Sequence, residues 1–102
     1  MLTGYKLMRK RKDGTYGPLF INRKLKMVRG VEYPMEDHPT KGFARRPGWH
    51  ICPTPEGAPH IKKTPDRVWV KVRFTLHHVV ERPAHQGGVW FLGSTMEIIE
   101  EV

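Results

Sequence analysis

The chain has 102 residues, of which 38% are hydrophobic and 27% are charged, and this composition predicts one folded domain with a small core. No apolar run approaches the roughly 20 residues that a membrane helix needs, and the basic residues 9–12 interrupt the N-terminus before a secretory signal can form. The single cysteine, Cys52, excludes an internal disulfide framework. These features predict a cytoplasmic protein without a membrane partner.

The positive charge is concentrated in the first third of the chain. The formal net charge is +8, and residues 1–30 contain nine Lys and Arg side chains against Asp13 alone. Residues 31–102 contain nine basic and nine acidic side chains, so that part is neutral. Clustered cations attract and hold phosphates, which favours a polyanionic partner. The alternative is a basic face that is solvated and has no ligand.

The first predicted element is a β-hairpin. Residues 4–12 alternate loosely, and Asp13-Gly14 supplies the positive φ angles of a tight turn. The returning strand is predicted to contain Thr15-Tyr16 and then residues 19–21. The tip carries cations that repel one another unless an anion binds them: Arg9, Lys10, Arg11 and Lys12.

A second basic stretch follows this hairpin. Leu25 and Met27 alternate with Lys24 and Lys26, which predicts a short strand, and residues 29–30 are predicted to turn the chain. We expect both lysines to join the cations of the hairpin in one electrostatic patch for phosphates.

Prolines dominate the middle of the chain, from Pro34 to Pro65. Proline lacks an amide donor and biases the residue before it toward extended geometry, so no long helix fits here. We predict a proline-rich central loop that wraps over a sheet and contains a short strand at residues 49–52. Pro47-Gly48 is predicted to form a type II turn that leads into this strand.

The main strands are predicted in the last third. Alternation over residues 67–74 places valines and Phe74 on one face and Trp69, Lys71 and Arg73 on the other. Residues 77–80 either extend this strand or turn a corner. Residues 89–92 and 96–99 are predicted as two further strands, separated by a turn at 93–95.

These elements together predict an α+β, mostly β fold. It is a small single-domain twisted antiparallel sheet with at most one or two short helices.

Residues 39–50 combine basic and aromatic side chains in a way found nowhere else in the chain. Arginine forks match phosphate oxygens, and flat rings stack on bases or on a nicotinamide or adenine. The alternative is that the tryptophan is a core residue and the arginines are surface charges on a turn. The candidate phosphate-binding residues are Lys41, Arg45, Arg46, Trp49 and His50.

The residues around Cys52 include the side chains that metal and thiol sites use. His50, Cys52 and His60 do not have the paired Cys/His spacing of zinc sites. A cysteine close to a histidine is typical of a thiol activated by imidazole, but a small buried cysteine has the same pattern. We therefore predict no metal, no cofactor and no catalytic residue.

Several segments resemble a group of short bacteriophage and prophage proteins. The resemblance implies a phage protein acting in the cytoplasm of a bacterial host, and it implies no particular activity. The matching segments are residues 4–7, 11–14, 19–23, 39–43, 46–50, 67–69, 82–83 and 86–88.

The order of elements is also similar to that of ADP-ribosyltransferase-like domains. Residues 48–50 (Gly-Trp-His) match their middle strand, and residues 96–98 match their last strand. The catalytic glutamate that these enzymes place ahead of a late strand has no counterpart near Val89, where Gln86 stands. This departure argues against transferase activity, and the resemblance then implies a degenerate nucleotide pocket.

Three hypotheses for the function result. The first is a non-enzymatic phage-type protein that binds nucleic acid or a nucleotide. The second is a phage inhibitor of a bacterial defence enzyme, which acts through protein–protein contact. The third is an ADP-ribosyltransferase-like enzyme that uses NAD.

Overall fold

Six β-strands make up most of the chain that the structure describes. The computed structural model describes residues 1–19, 24–34, 48–55, 64–81 and 83–102. The mostly β class is confirmed, and no helix in these ranges is long and apolar enough to cross a membrane. Most of the predicted proline-rich loop lies outside them. The strands are β1 (Leu2–Lys10), β2 (Tyr16–Gly17), β3 (Glu32–Pro34), β4 (Trp49–Ile51), β5 (Arg67–Glu81) and β6 (Val89–Glu101), and a 3-10 helix spans Ala84–Gln86.

The predicted β-hairpin is confirmed. β1 and β2 pair antiparallel with Lys10 opposite Tyr16, and Gly14 in the connecting turn has a φ of 86°. The returning strand is shorter than predicted because it ends at Gly17, directly before Pro18, which has no amide donor for a ladder. Leu19 is a buried bend residue, and the rest of the predicted strand lies outside the described ranges.

The second basic stretch contributes one bridge to the sheet where a short strand was predicted. Met27 pairs with Tyr16 of β2 through two backbone hydrogen bonds of 2.8 Å. The predicted turn after it is confirmed, since Arg29 and Gly30 are turn residues and Gly30 has a φ of 81°. The chain then enters β3.

The long strand β5 has the predicted alternation. Val70, Val72 and Phe74 are fully buried, whereas Lys71 is half-buried and Arg73 is exposed. The strand continues through residues 77–80, so this stretch extends the strand and does not turn a corner.

The predicted turn at residues 93–95 is wrong, because β6 runs through it without a break. Gly93 pairs with Leu76 and Thr95 pairs with Thr75, which leaves Ser94 as a bulge. A Cβ on Gly93 would lie 3.1 Å from Ile51 Cδ1 and 3.2 Å from the Cβ of Phe74. The glycine therefore marks a close approach of neighbouring strands.

The sheet curls until it meets itself. Its strands are all antiparallel, in the order β2-β1-β5-β6-β3, and β4 pairs with β6. Directly after β4, Cys52 pairs with Tyr5 of β1, and their amides donate to each other's carbonyl oxygens over 2.7 and 2.8 Å. β1, β5, β6 and β4 thus form a closed ring.

The hydrophobic core lies inside this ring. Each strand contributes the side chains of its inner face, as the alternation of a half-buried sheet requires. The buried cluster consists of Met8, Tyr16, Met27, Trp49, Ile51, Val70, Val72, Phe74, Met96 and Ile98.

Gly4→Ala is expected to lower the free energy of unfolding by about 2 kcal/mol. A Cβ at this position would lie 2.5 Å from Ile51 Cγ2 and 3.0 Å from the carbonyl oxygen of Cys52, so it forces β4 away from β1. Chemical denaturation measures the loss. Thr3→Ala, on an exposed residue of the same strand, is the control and should cost less than about 1 kcal/mol. Equal losses in the two variants would contradict the close approach.

Candidate functional site

The turn of the β1–β2 hairpin is built around the carboxylate of Asp13. Its Oδ1 accepts hydrogen bonds from the Thr15 amide over 3.0 Å and from the Thr15 hydroxyl over 2.7 Å. These bonds, together with one from Lys26, hold the pKa of Asp13 far below its ordinary value. The carboxylate is therefore ionised at neutral pH and fixes the turn that presents the cations.

The structure brings the second basic stretch against this turn. The bridge between Tyr16 and Met27 fixes the neighbouring residues, and Lys26 Nζ lies 3.1 Å from Asp13 Oδ2. Arg29 is exposed and acts electrostatically on Lys10, which joins it to the same surface. We call this surface the basic end, and it consists of Arg9, Lys10, Arg11, Lys12, Lys24, Lys26 and Arg29.

Carboxylates neutralise part of the basic end. Lys10 Nζ lies 2.9 Å from Glu101 Oε1, and this hydrogen bond raises the pKa of Lys10 and lowers that of Glu101. Arg9 Nε lies 3.9 Å from Asp66 Oδ2. Lys10 and Glu101 are both exposed, so a competing phosphate can replace this carboxylate at little cost.

Two lysines of the basic end are not paired with a described carboxylate. Lys12 and Lys24 are exposed, and no carboxylate forms an ion pair with either of them in the part of the chain that the structure describes. Arg11, by contrast, is half-buried, with its guanidinium over the α-carbon of Gly17. Lys12 and Lys24 are therefore open to an incoming anion.

The second predicted group of phosphate-binding residues is divided by the structure. Trp49 is 8% exposed, packs in the core and donates from Nε1 to the carbonyl oxygen of Tyr33 over 3.1 Å. His50 follows it in β4, on the opposite face of the strand, and its ring meets the edge of Trp90 at a centroid distance of 5.8 Å. Lys41, Arg45 and Arg46 lie outside the described residues.

A lysine of β1 and a thiol directly after β4 lie next to His50. Lys6 Nζ donates to the carbonyl oxygen of His50 over 2.8 Å, and burial lowers the pKa of Lys6 to about 8. Cys52 is 2% exposed, and burial raises its pKa to about 11 although Lys6 acts in the opposite direction. The thiol is therefore protonated at neutral pH and does not provide the thiolate that nucleophilic catalysis needs.

The described residues contain no group of three or more His, Cys, Asp and Glu side chains that could hold a metal ion. His60, which the sequence placed beside His50 and Cys52, lies outside those ranges. Structural zinc sites need four ligands, and His50 and Cys52 supply two.

Sequence reasoning missed three contributors to these sites. Glu101 pairs with Lys10 across the sheet, and the signal for it was the contrast between an acidic C-terminal strand and a basic hairpin. Asp13 was assigned only to the turn. Lys6 is two residues from Met8 in β1, so both face the same side, and the full burial of Met8 indicates that Lys6 is directed into the protein.

The chain was also compared with known proteins. No protein-family model matches it, and no curated protein or solved structure shows significant similarity to it.

Proposed function

We propose that this protein is a non-enzymatic nucleic-acid-binding protein whose basic end holds the phosphate backbone. The observation that carries the proposal is the Tyr16–Met27 bridge, which joins two basic stretches separate in the sequence into one surface. Exposed cations at this density lose their mutual repulsion when a polyanion displaces their counterions.

The two aromatic rings described near this end favour backbone contacts over base stacking. Tyr16 is 5% exposed, and its hydroxyl donates to Glu101 over 3.2 Å. Tyr33 is half-buried, and its hydroxyl accepts from the Val28 amide. Stacking platforms require open ring faces, and these two rings are engaged in packing. The proposed binding is therefore independent of sequence.

The double variant Lys12→Gln/Lys24→Gln tests the proposal by fluorescence polarisation against a short labelled DNA duplex. We expect affinity to fall about ten-fold at low salt, and the slope of log K against log salt to become shallower by about 2. Lys71→Gln/Arg73→Gln removes the same charge from β5 outside the basic end, and it should leave the slope unchanged. Equal effects of the two double variants would mean that only net charge matters.

Wild-type protein that binds neither duplex nor single-stranded DNA or RNA at about 50 mM salt would contradict the proposal. The same titration with ATP and NAD separates a small nucleotide ligand from a polymer. Binding of a small nucleotide alone would replace the proposed ligand by a nucleotide.

Glu101→Gln is expected to tighten binding about two-fold, because it releases Lys10 from its ion pair and adds a cation to the surface. The salt slope should become steeper by about 1. Glu97→Gln is the matched control, since Glu97 pairs with Arg73 at 4.0 Å away from the basic end. Affinity of Glu101→Gln no higher than that of Glu97→Gln would contradict a contact between Lys10 and the nucleic acid.

A further inference from the structure

No described strand pairs with one edge of the second half of β5. β1 pairs with β5 only as far as Leu2, which lies opposite Phe74. From Thr75 to Glu81, β6 occupies one edge of β5, and no described strand pairs with the other. Such an edge presents a row of backbone amides and carbonyls to which another strand can be added.

A bulge in β5 places two exposed apolar side chains of this edge on one face. Leu76 pairs with Gly93 and His78 pairs with Leu92, which makes His77 the extra residue of β5. Val79 pairs with Phe91, so Leu76 and Val79 both face the side of the sheet that holds the core. They are 43% and 45% exposed.

Residues 75–80 of this edge carry no formal charge, so two copies of the positively charged protein can approach each other here with little repulsion. Residues 75–80 contain no Lys, Arg, Asp or Glu in a protein whose net charge is +8. Edge strands are usually protected by charged side chains, especially lysine, or by proline, and this segment has neither. The basic end lies at the other end of β5, where Arg67 pairs with Arg9.

We propose that the Thr75–Glu81 edge of β5 is a dimerisation site. The same edge of a second copy pairs with it as an antiparallel strand, and the twofold axis passes between His77 and His78. In this register Leu76 of one copy lies opposite Val79 of the other. The twofold axis generates the same pair a second time, with the two copies exchanged. Both pairs lie on the core side of the joined sheet, because paired residues of neighbouring strands share a face. A twofold axis requires such a self-complementary strip.

The dimer is independent of the proposed nucleic-acid binding. It places a basic end at each far end of a continuous sheet. If both functions hold, one dimer presents two phosphate-binding surfaces to one polymer, and the second contact becomes intramolecular.

Sedimentation velocity over a range of protein concentrations tests whether this edge mediates dimerisation. We expect wild-type protein to form a dimer, and Val79→Lys to shift the dissociation constant at least ten-fold upward. Val28→Lys is the matched control, because Val28 is 44% exposed and lies outside β5. A monomer at every concentration overturns the proposal, and so does a dimer that Val79→Lys leaves intact.

Disulfide formation tests the register. A disulfide requires α-carbons about 4.4 to 6.8 Å apart. Leu76→Cys mixed with Val79→Cys should form a disulfide-linked mixed dimer, while each variant alone should not, since its cysteines lie several residues apart across the axis. Homodimeric disulfides that form faster than the mixed one overturn the proposed register. Cys52 is buried and present in every sample, so it serves as an internal control.

Discussion

Trp49→Ala is expected to lower the free energy of unfolding by about 4 kcal/mol. The indole is 8% exposed, belongs to the core cluster and donates its Nε1 proton to the Tyr33 carbonyl, so truncation opens a large cavity and leaves a carbonyl without its donor. Urea denaturation followed by circular dichroism measures the change.

Trp49→Phe separates packing from ligand binding at the same position. It keeps most of the ring, loses one hydrogen bond and should cost about 1 to 2 kcal/mol. Because the indole faces the core, the folded variant should bind DNA with wild-type affinity. A ten-fold loss of affinity in folded Trp49→Phe would show that this tryptophan contacts the ligand, as the sequence predicted.

The stability difference between Lys6→Met and wild type is expected to depend strongly on pH. Burial lowers the pKa of Lys6 from 10.5 to about 8 in the folded protein. Between these values the unfolded chain binds a proton that the folded protein does not, so wild-type stability rises with pH. The methionine variant lacks this gain.

The free energy of unfolding of Lys6→Met should fall relative to that of wild type by about 1 kcal/mol between pH 7 and 9, and by about 3 kcal/mol by pH 10.5. Burial raises the pKa of Cys52 to about 11, which acts in the opposite direction at alkaline pH, but both proteins contain this thiol. Denaturant titrations at a series of pH values measure the difference. A constant difference from pH 7 to 10.5 would contradict the burial of the amine.

The sequence predicts those parts of the fold that depend on local pattern. The alternation of β5 marks the core face correctly, and Asp13-Gly14 predicts the hairpin, because both signals are complete within a few residues. Gly93 was misread because a glycine within a strand and a glycine in a turn look alike in one sequence. Only the side chains of Ile51 and Phe74, from other strands, distinguish the two.

The candidate site is less predictable from the sequence than the fold, because it also depends on contacts between residues that are distant in the sequence. The charges of the basic end could be listed from the sequence, and the bridge that joins them could not, since Tyr16 and Met27 form a single pair without a strand pattern. Trp49 and His50 are neighbours in a strand, so only one of them can face outward. Which one does so depends on how β4 packs.

The ring closure by Cys52 and Tyr5 has a consequence for how the chain acquires its structure. β1 pairs with β5, a strand more than half the chain away, and β4 is held by β6 and by β1. Pairing strands that are distant in the sequence requires closing long loops, and this entropy is lost before the strand contacts form. Folding is therefore slow, and proteins of this kind fold in about milliseconds to seconds. During synthesis the first strand leaves the ribosome long before β5 and Cys52, its distant partners, exist. Only when β6 has been made can the ring close, and the whole sheet then forms as one cooperative unit.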